Sequence, residues 1–135
     1  MKKPRSILLS IMLIFLSCNS NEKQSPQTDT ETATTFIRDV LNNNLSDAET
    51  FLLQDEANGQ YFESFKQQYS KKDKAELEKF KAADIIINEI SNVSDTVTIV
   101  NYSNSYKKDV KNKIKLVRIN GKWLIDLKYT FSGNM

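Results

Sequence analysis

Any chemistry in this chain must be done without histidine, because none of the 135 residues is one. The single cysteine, Cys18, has no second thiol to form an intramolecular disulfide, and no His–Cys set exists to hold zinc. No Asp-rich loop has calcium-ligand spacing, and the three glycines do not form a phosphate-cradling loop. The sequence therefore predicts no metal site and no cofactor. What remains is one thiol, a set of carboxylates and five tyrosines.

The position of the thiol is informative. Lys2, Lys3 and Arg5 form a basic start, Ile7 to Leu16 is an apolar run broken only by Ser10, and Ser17-Cys18 closes it. A run of about ten residues is half of what a membrane-spanning helix needs, so it reads as an export signal. Phe15-Leu16-Ser17-Cys18 resembles the lipobox of bacterial lipoproteins, with Phe15 where Leu or Val is usual. The resemblance implies that residues 1–17 are a removed signal peptide and that Cys18 is lipidated as the first mature residue. The protein would then be exported and anchored to a bacterial membrane, on the periplasmic or cell-surface side. Several acyl chains on one residue anchor stably, since each buried CH₂ contributes about 0.8 kcal/mol.

Removal of residues 1–17 would change the charge balance. Three basic residues go and no acidic ones, leaving 16 basic against 17 acidic side chains. Only three of the 19 basic residues are Arg, so the bidentate forks that favour phosphate and base recognition are nearly absent. Nucleic-acid binding is disfavoured on both counts.

The elements that would position any site begin after a tether. Residues 18–29 are polar, contain Ser25-Pro26 and have no apolar patch to bury, as expected of a disordered linker. Residues 30–131 read as a single α+β domain. Thr28 to Glu31 has capping-box spacing, and Ala33, Phe36, Ile37, Val40 and Leu41 follow on one helical stripe. Asn42-Asn43-Asn44 should end that helix, and Ser46 to Glu49 repeats the capping box for a short second one. Asn58-Gly59 is expected to punctuate again. Tyr61, Phe62, Phe65 and Tyr69 then share a helical face, read as core in preference to a ligand-stacking wall. Ser70 to Asp73 resembles another cap, opening a sparsely apolar helix with charges of alternating sign.

From Asp84 onward β-branched residues dominate, giving strands at Ile85 to Ile90 and Thr96 to Ser105 and a hairpin from Asn112 to Phe131. Asn120-Gly121 fits a type I′ turn. A two-residue loop pairs Ile119 with Lys122, Arg118 with Trp123, Leu116 with Ile125 and Ile114 with Leu127, which puts Trp123, Ile125, Leu127, Ile114 and Leu116 on the buried face. With Lys107-Lys108 as the preceding loop, Ile99 would pair with Leu116 and Val97 with Arg118. The outer face would carry an apolar patch of Val117, Ile119 and Leu124, rimmed by Lys115 and Lys122, as a candidate partner surface for a second copy or another envelope protein.

Helices first, then a four-stranded antiparallel meander ending in Asn120-Gly121-Lys122-Trp123-Leu124-Ile125, resembles the small lipoproteins of the nuclear-transport-factor-2-like, or cystatin-like, group. The resemblance covers about Thr30 to Thr130 and implies a curved sheet wrapped round a helix. Enzymes on that fold place an Asp or His base beside a tyrosine. Here the counterpart would be a carboxylate with a raised pKa, Asp84, with Tyr61, Tyr69 or Tyr129 in an apolar pocket. The expectation is a noncatalytic binding or assembly module with no catalytic residue; the alternative is a small-molecule enzyme of isomerase or dehydratase type.

Overall fold

The computed structural model describes Pro26 and residues 28–132; the signal segment, Cys18 and nearly all of the tether lie outside the described residues. The chain folds as α+β, with four helices preceding an open four-stranded antiparallel sheet and a fifth, short helix after it.

Helix α1 (Asp29–Leu41) starts with the expected capping box: Thr28 Oγ1 accepts the Glu31 N–H at 3.1 Å and the Glu31 carboxylate accepts the Thr28 N–H at 3.2 Å. It ends because Asn43 takes φ 60°, so that the Asn44 N–H reaches Asp39 O at 2.8 Å and the Asn43 N–H reaches Val40 O at 3.0 Å. That left-handed turn delivers the chain straight into α2 (Leu45–Glu49). The cap expected at Ser46 is therefore not used; Asn44 stands at the N-cap, with no side-chain capping bond.

Helix α3 (Glu56–Tyr69) contains Asn58-Gly59 in its first turn, where the sequence suggested a break. Asp55 explains the difference, since its carboxylate accepts the Asn58 N–H at 2.8 Å and so starts the helix earlier. Helix α4 (Lys74–Lys81) is capped by Asp73, which accepts the Glu76 N–H at 2.8 Å.

Strands β1 (Ile85–Ser94), β2 (Val97–Asn104), β3 (Asn112–Ile119) and β4 (Lys122–Asp126) form the meander in that order. β1 runs further than expected and carries two register shifts, at Ile87/Glu89 and Asn92/Ser94, which bend it. Asn120 (φ 51°) and Gly121 (φ 76°) make the tight turn, and every β3–β4 pair expected up to Leu116–Ile125 is present. The β2–β3 register is displaced by one residue from expectation: Val97 pairs with Val117, Thr98 with Leu116 and Ile99 with Lys115. The connection is the longer Ser105 to Lys111, and a one-residue slip exchanges faces. Thr98 and Val100 thus point into the core, and Val97 and Ile99 point out. Thr98 is tolerated there because its hydroxyl donates to Asp29 Oδ2 at 2.6 Å.

Strand β4 stops at Asp126, short of the expected end near Phe131, and helix α5 (Leu127–Phe131) follows. Asp126 caps it by accepting the Lys128 N–H at 3.2 Å. The expected Ile114–Leu127 pair consequently does not form, although Leu127 is still buried. The free edge of β4 is covered by Phe51 to Leu53: the Leu53 N–H donates to Ile125 O, and the Ile125 N–H donates to Phe51 O, both at 2.8 Å. Ala33, Phe36, Ile37 and Leu41 of α1 pack with Phe62 of α3 against Val100, Ile114, Leu116 and Ile125 of the sheet. Among the described residues no helix is long and apolar enough to cross a membrane.

Candidate apolar cleft

The aromatic stripe on α3 divides. Tyr61 turns outward and stacks on Phe131 at 5.1 Å between ring centroids, whereas Phe62, Phe65 and Tyr69 turn inward. Ring contacts continue from Phe62 to Phe65 (5.9 Å), Tyr69 (5.3 Å), Phe80 of α4 (6.2 Å) and Tyr106 beyond β2 (5.1 Å). A cleft lies alongside this chain of rings, lined by Phe62, Phe65, Tyr69 and Phe80.

The cleft has two lobes. The inner lobe, about 160 Å³, is walled by Phe36, Val40, Phe62, Ile114 and Leu127 and bounded at one end by Thr130 and Phe131 of α5. The outer lobe, about 430 Å³, is walled by Ile37, Leu41, Tyr69 and Phe80, with Gln68, Lys72, Lys107 and Asn112 at its rim. Val40, Phe65, Tyr102 and Asn112 line both lobes, so the two adjoin. A space of this size, mostly apolar with a few polar groups, has the character of a small-molecule site.

Its electrostatics are set by three groups. Burial pushes the Tyr69 hydroxyl up to about 12, helped by the nearby Glu76 carboxylate, and burial likewise pushes Tyr102 up to about 12, with Tyr69 adding to it. At neutral pH both are therefore neutral donors. The Tyr69 hydroxyl is buried and meets no hydrogen-bond partner. Glu76 Oε1 accepts from both Lys72 Nζ, at 3.1 Å, and Lys107 Nζ, at 3.4 Å. The Lys72 ammonium first, and Lys107 after it, hold the Glu76 carboxyl below its ordinary range.

The residues expected to form an enzyme pair are dispersed. Asp84 is exposed at the α4–β1 junction, where its N–H donates to Ser105 Oγ at 2.8 Å; it lines neither lobe. Tyr61 is on the surface against Phe131, and Tyr69 is in the cleft. Tyr129 borders a shallow depression of about 180 Å³ on the outer face of the sheet with Glu89, Ser91 and Lys113. Glu89 is exposed there, so the apolar enclosure required of a buried base is missing. Among the described residues no group of three or more acidic or thiol side chains is placed to hold a metal ion.

The candidate partner patch does assemble. Val117 and Leu124 are directly opposite each other and half-buried, with Val97 opposite Val117 on its other side; Ile119 is 43% exposed beside the turn. Lys115 lies opposite Asp126 and Lys122 opposite Ile119, which rims the patch as expected. Lys128 is not on that face: it pairs with Asp55 and approaches Asp126 at 3.7 Å. Trp123 is half-buried, packed against the core edge with the Arg118 guanidinium 5.9 Å from its ring, and does not plug the core.

Sequence reasoning did not single out Tyr102, Lys72, Glu76 or Lys107. The i,i+4 spacing of Lys72 and Glu76 was a usable signal, whereas Lys107 joins them from 31 residues away. No protein-family model, no curated protein and no solved structure matches this chain.

Proposed function

We propose that this chain is a noncatalytic binding module, tethered to a bacterial envelope membrane through a lipid on Cys18, whose cleft takes up a small molecule with an apolar body. The observation that carries this reading is the two-lobed cleft itself, roofed by Phe62, Phe65 and Tyr69 and floored by Tyr102 and Ile114. A domain of this size would ordinarily close such apolar walls on one another, because unfilled contacts forfeit dispersion energy. The order of helices and meander supports the resemblance to nuclear-transport-factor-2-like lipoproteins, and the lipobox-like segment supports the membrane location. The enzyme reading has less support, because no carboxylate lines the cleft among its described walls.

Val40 lines both lobes, so Val40→Trp should take up space in each. Saturating decanol, a neutral apolar probe, should raise the melting temperature of the purified wild-type chain and leave that of the folded variant unmoved. A wild-type chain indifferent to decanol, or a variant that responds equally, would overturn the reading. For the tether, Cys18→Ala should abolish incorporation of labelled fatty acid; a wild-type chain that never takes up label would remove the proposed location.

A second reading rests on a separate observation, the contiguous row Val97, Val117 and Leu124 with exposed Ile119 at its end. It makes the outer face of the sheet an assembly surface. Val117→Ser with Leu124→Ser should then leave the chain folded while abolishing self-association in sedimentation.

A further inference from the structure

Resting on the cleft reading above, we infer that the ligand is a single-chain amphipathic anion, such as a medium-chain or aryl carboxylate. Its apolar part would lie in the inner lobe, and its head would sit between Tyr69, Lys72 and Lys107 in the outer one. Two observations point to the head group and a third to the apolar part. Tyr69 lines the outer lobe and is only 5% exposed, and its buried hydroxyl, a donor, meets no acceptor. A buried donor of this kind is stabilised by an arriving acceptor to a degree that an exposed one is not.

The two ammonium groups at the rim are the second observation. Both contact the same oxygen of Glu76, so one carboxylate faces two cations and one positive charge in the trio is uncompensated. Lys72 Nζ stands 5.1 Å and Lys107 Nζ 5.3 Å from the centroid of the Phe80 ring, which places both beside the apolar wall of the lobe while they stay in reach of solvent. A third ammonium, Lys79, lies 5.6 Å from the neighbouring Tyr106 ring. A cationic ligand would meet repulsion at this rim. A neutral one would leave the excess charge as it is.

The third observation is the contrast between the lobes. The inner one is walled mainly by Phe, Val, Ile and Leu, with Tyr102, Asn112 and Thr130 among them, and measures about 160 Å³; an apolar cavity of about 150 Å³ accommodates a benzene-sized group. That matches one chain or ring, which is the basis for assigning a single-chain acid. In the complex a carboxylate oxygen would accept from Tyr69 and the other would replace or share the Glu76 oxygen at Lys72 and Lys107.

Calorimetric titration of the purified chain with decanoate, decanol and decylamine tests this directly. Decanoate should bind about tenfold or more tightly than the other two, the ratio that one charge-assisted hydrogen bond supplies. Lys72→Gln combined with Lys107→Gln should cut that preference severalfold, and a cooperative melting curve for the variant certifies that it is folded. Tyr69→Phe should weaken decanoate severalfold without lowering the melting temperature. If decanol and decylamine bind as well as decanoate, the anionic head group is wrong and the cleft reading stands. If none of the three binds, both fail.

Discussion

The side-chain oxygen of Asn58 accepts the backbone N–H of Leu127 at 2.7 Å, joining the first turn of α3 to the point where β4 becomes α5. Asn58 is wholly buried, and its amide nitrogen also donates to Asp55 at 3.0 Å and to Asp126 at 3.4 Å. One side chain thus serves two helix starts and the end of the sheet. Asn58→Ala would strand the buried Leu127 N–H, at a cost of about 1 to 3 kcal/mol. Urea unfolding should register that loss, and a midpoint equal to wild type would mean that α5 is held by other contacts.

Phe62 and Trp123 differ in burial, and their truncations should differ accordingly. Phe62 is 1% exposed at the centre of the core, so Phe62→Ala should cost about 3 to 5 kcal/mol, a large part of the roughly 5 to 15 available to a domain. Trp123 is half-buried beside Arg118, and Trp123→Ala should stay within the roughly 0.5 to 3 kcal/mol usual for single substitutions. Thermal melts of the two variants side by side would decide it; a Trp123 variant as damaged as the Phe62 variant would contradict the placement of the hairpin tip.

Asp55 should make part of the stability depend on acid. Its carboxyl is held below the ordinary 3.8, first by the hydrogen bond from Lys128 and then by the Asn58 N–H, and it is exposed, so the effect is modest. A depressed carboxylate contributes stability that is present above its unfolded value and lost as pH falls through the lower folded one. Lys128, raised above 10.5 mainly by Asp55, contributes below that value and loses its share as pH rises through the folded one. Asp55→Asn retains a capping oxygen and removes the ion pair. Its deficit in melting temperature should be visible at neutral pH and shrink as the pH falls through the lowered Asp55 value; a deficit independent of pH would assign Asp55 a capping role alone.

Local signals in the chain were reliable where chemistry left one solution. Thr28 and Glu31 could satisfy only the first turn of α1, and Asn120-Gly121 fits both positive-φ positions of its turn, which fixed the β3–β4 register. Longer connections left more freedom. Ser105 to Lys111 contains no paired turn residues, so parity across β2 and β3 was open, and buried Thr98 looked like an outward residue until Asp29 supplied its partner. The end of β4 was hidden for a similar reason, because Leu127, the first residue of α5, is bonded to Asn58, 69 residues away. Asn58-Gly59 read as a loop, since the tertiary use of Asn58 has no sequence signature. The cleft was least legible of all. Phe62, Phe65 and Tyr69 have the same spacing whether they fill a core or roof a cavity, and the rim is completed by Lys107 from a distant loop.

The claim that the cleft is the binding site is tested most directly by a methyl-resolved NMR titration of the chain with decanoate. The resonances of Val40, Ile114 and Leu127, which line the inner lobe, should shift in a saturable manner, while those of Val117, Ile119 and Leu124 on the outer face of the sheet stay in place. Shifts confined to Val117, Ile119 and Leu124, or none at Val40, Ile114 and Leu127 at saturating ligand, would contradict the account.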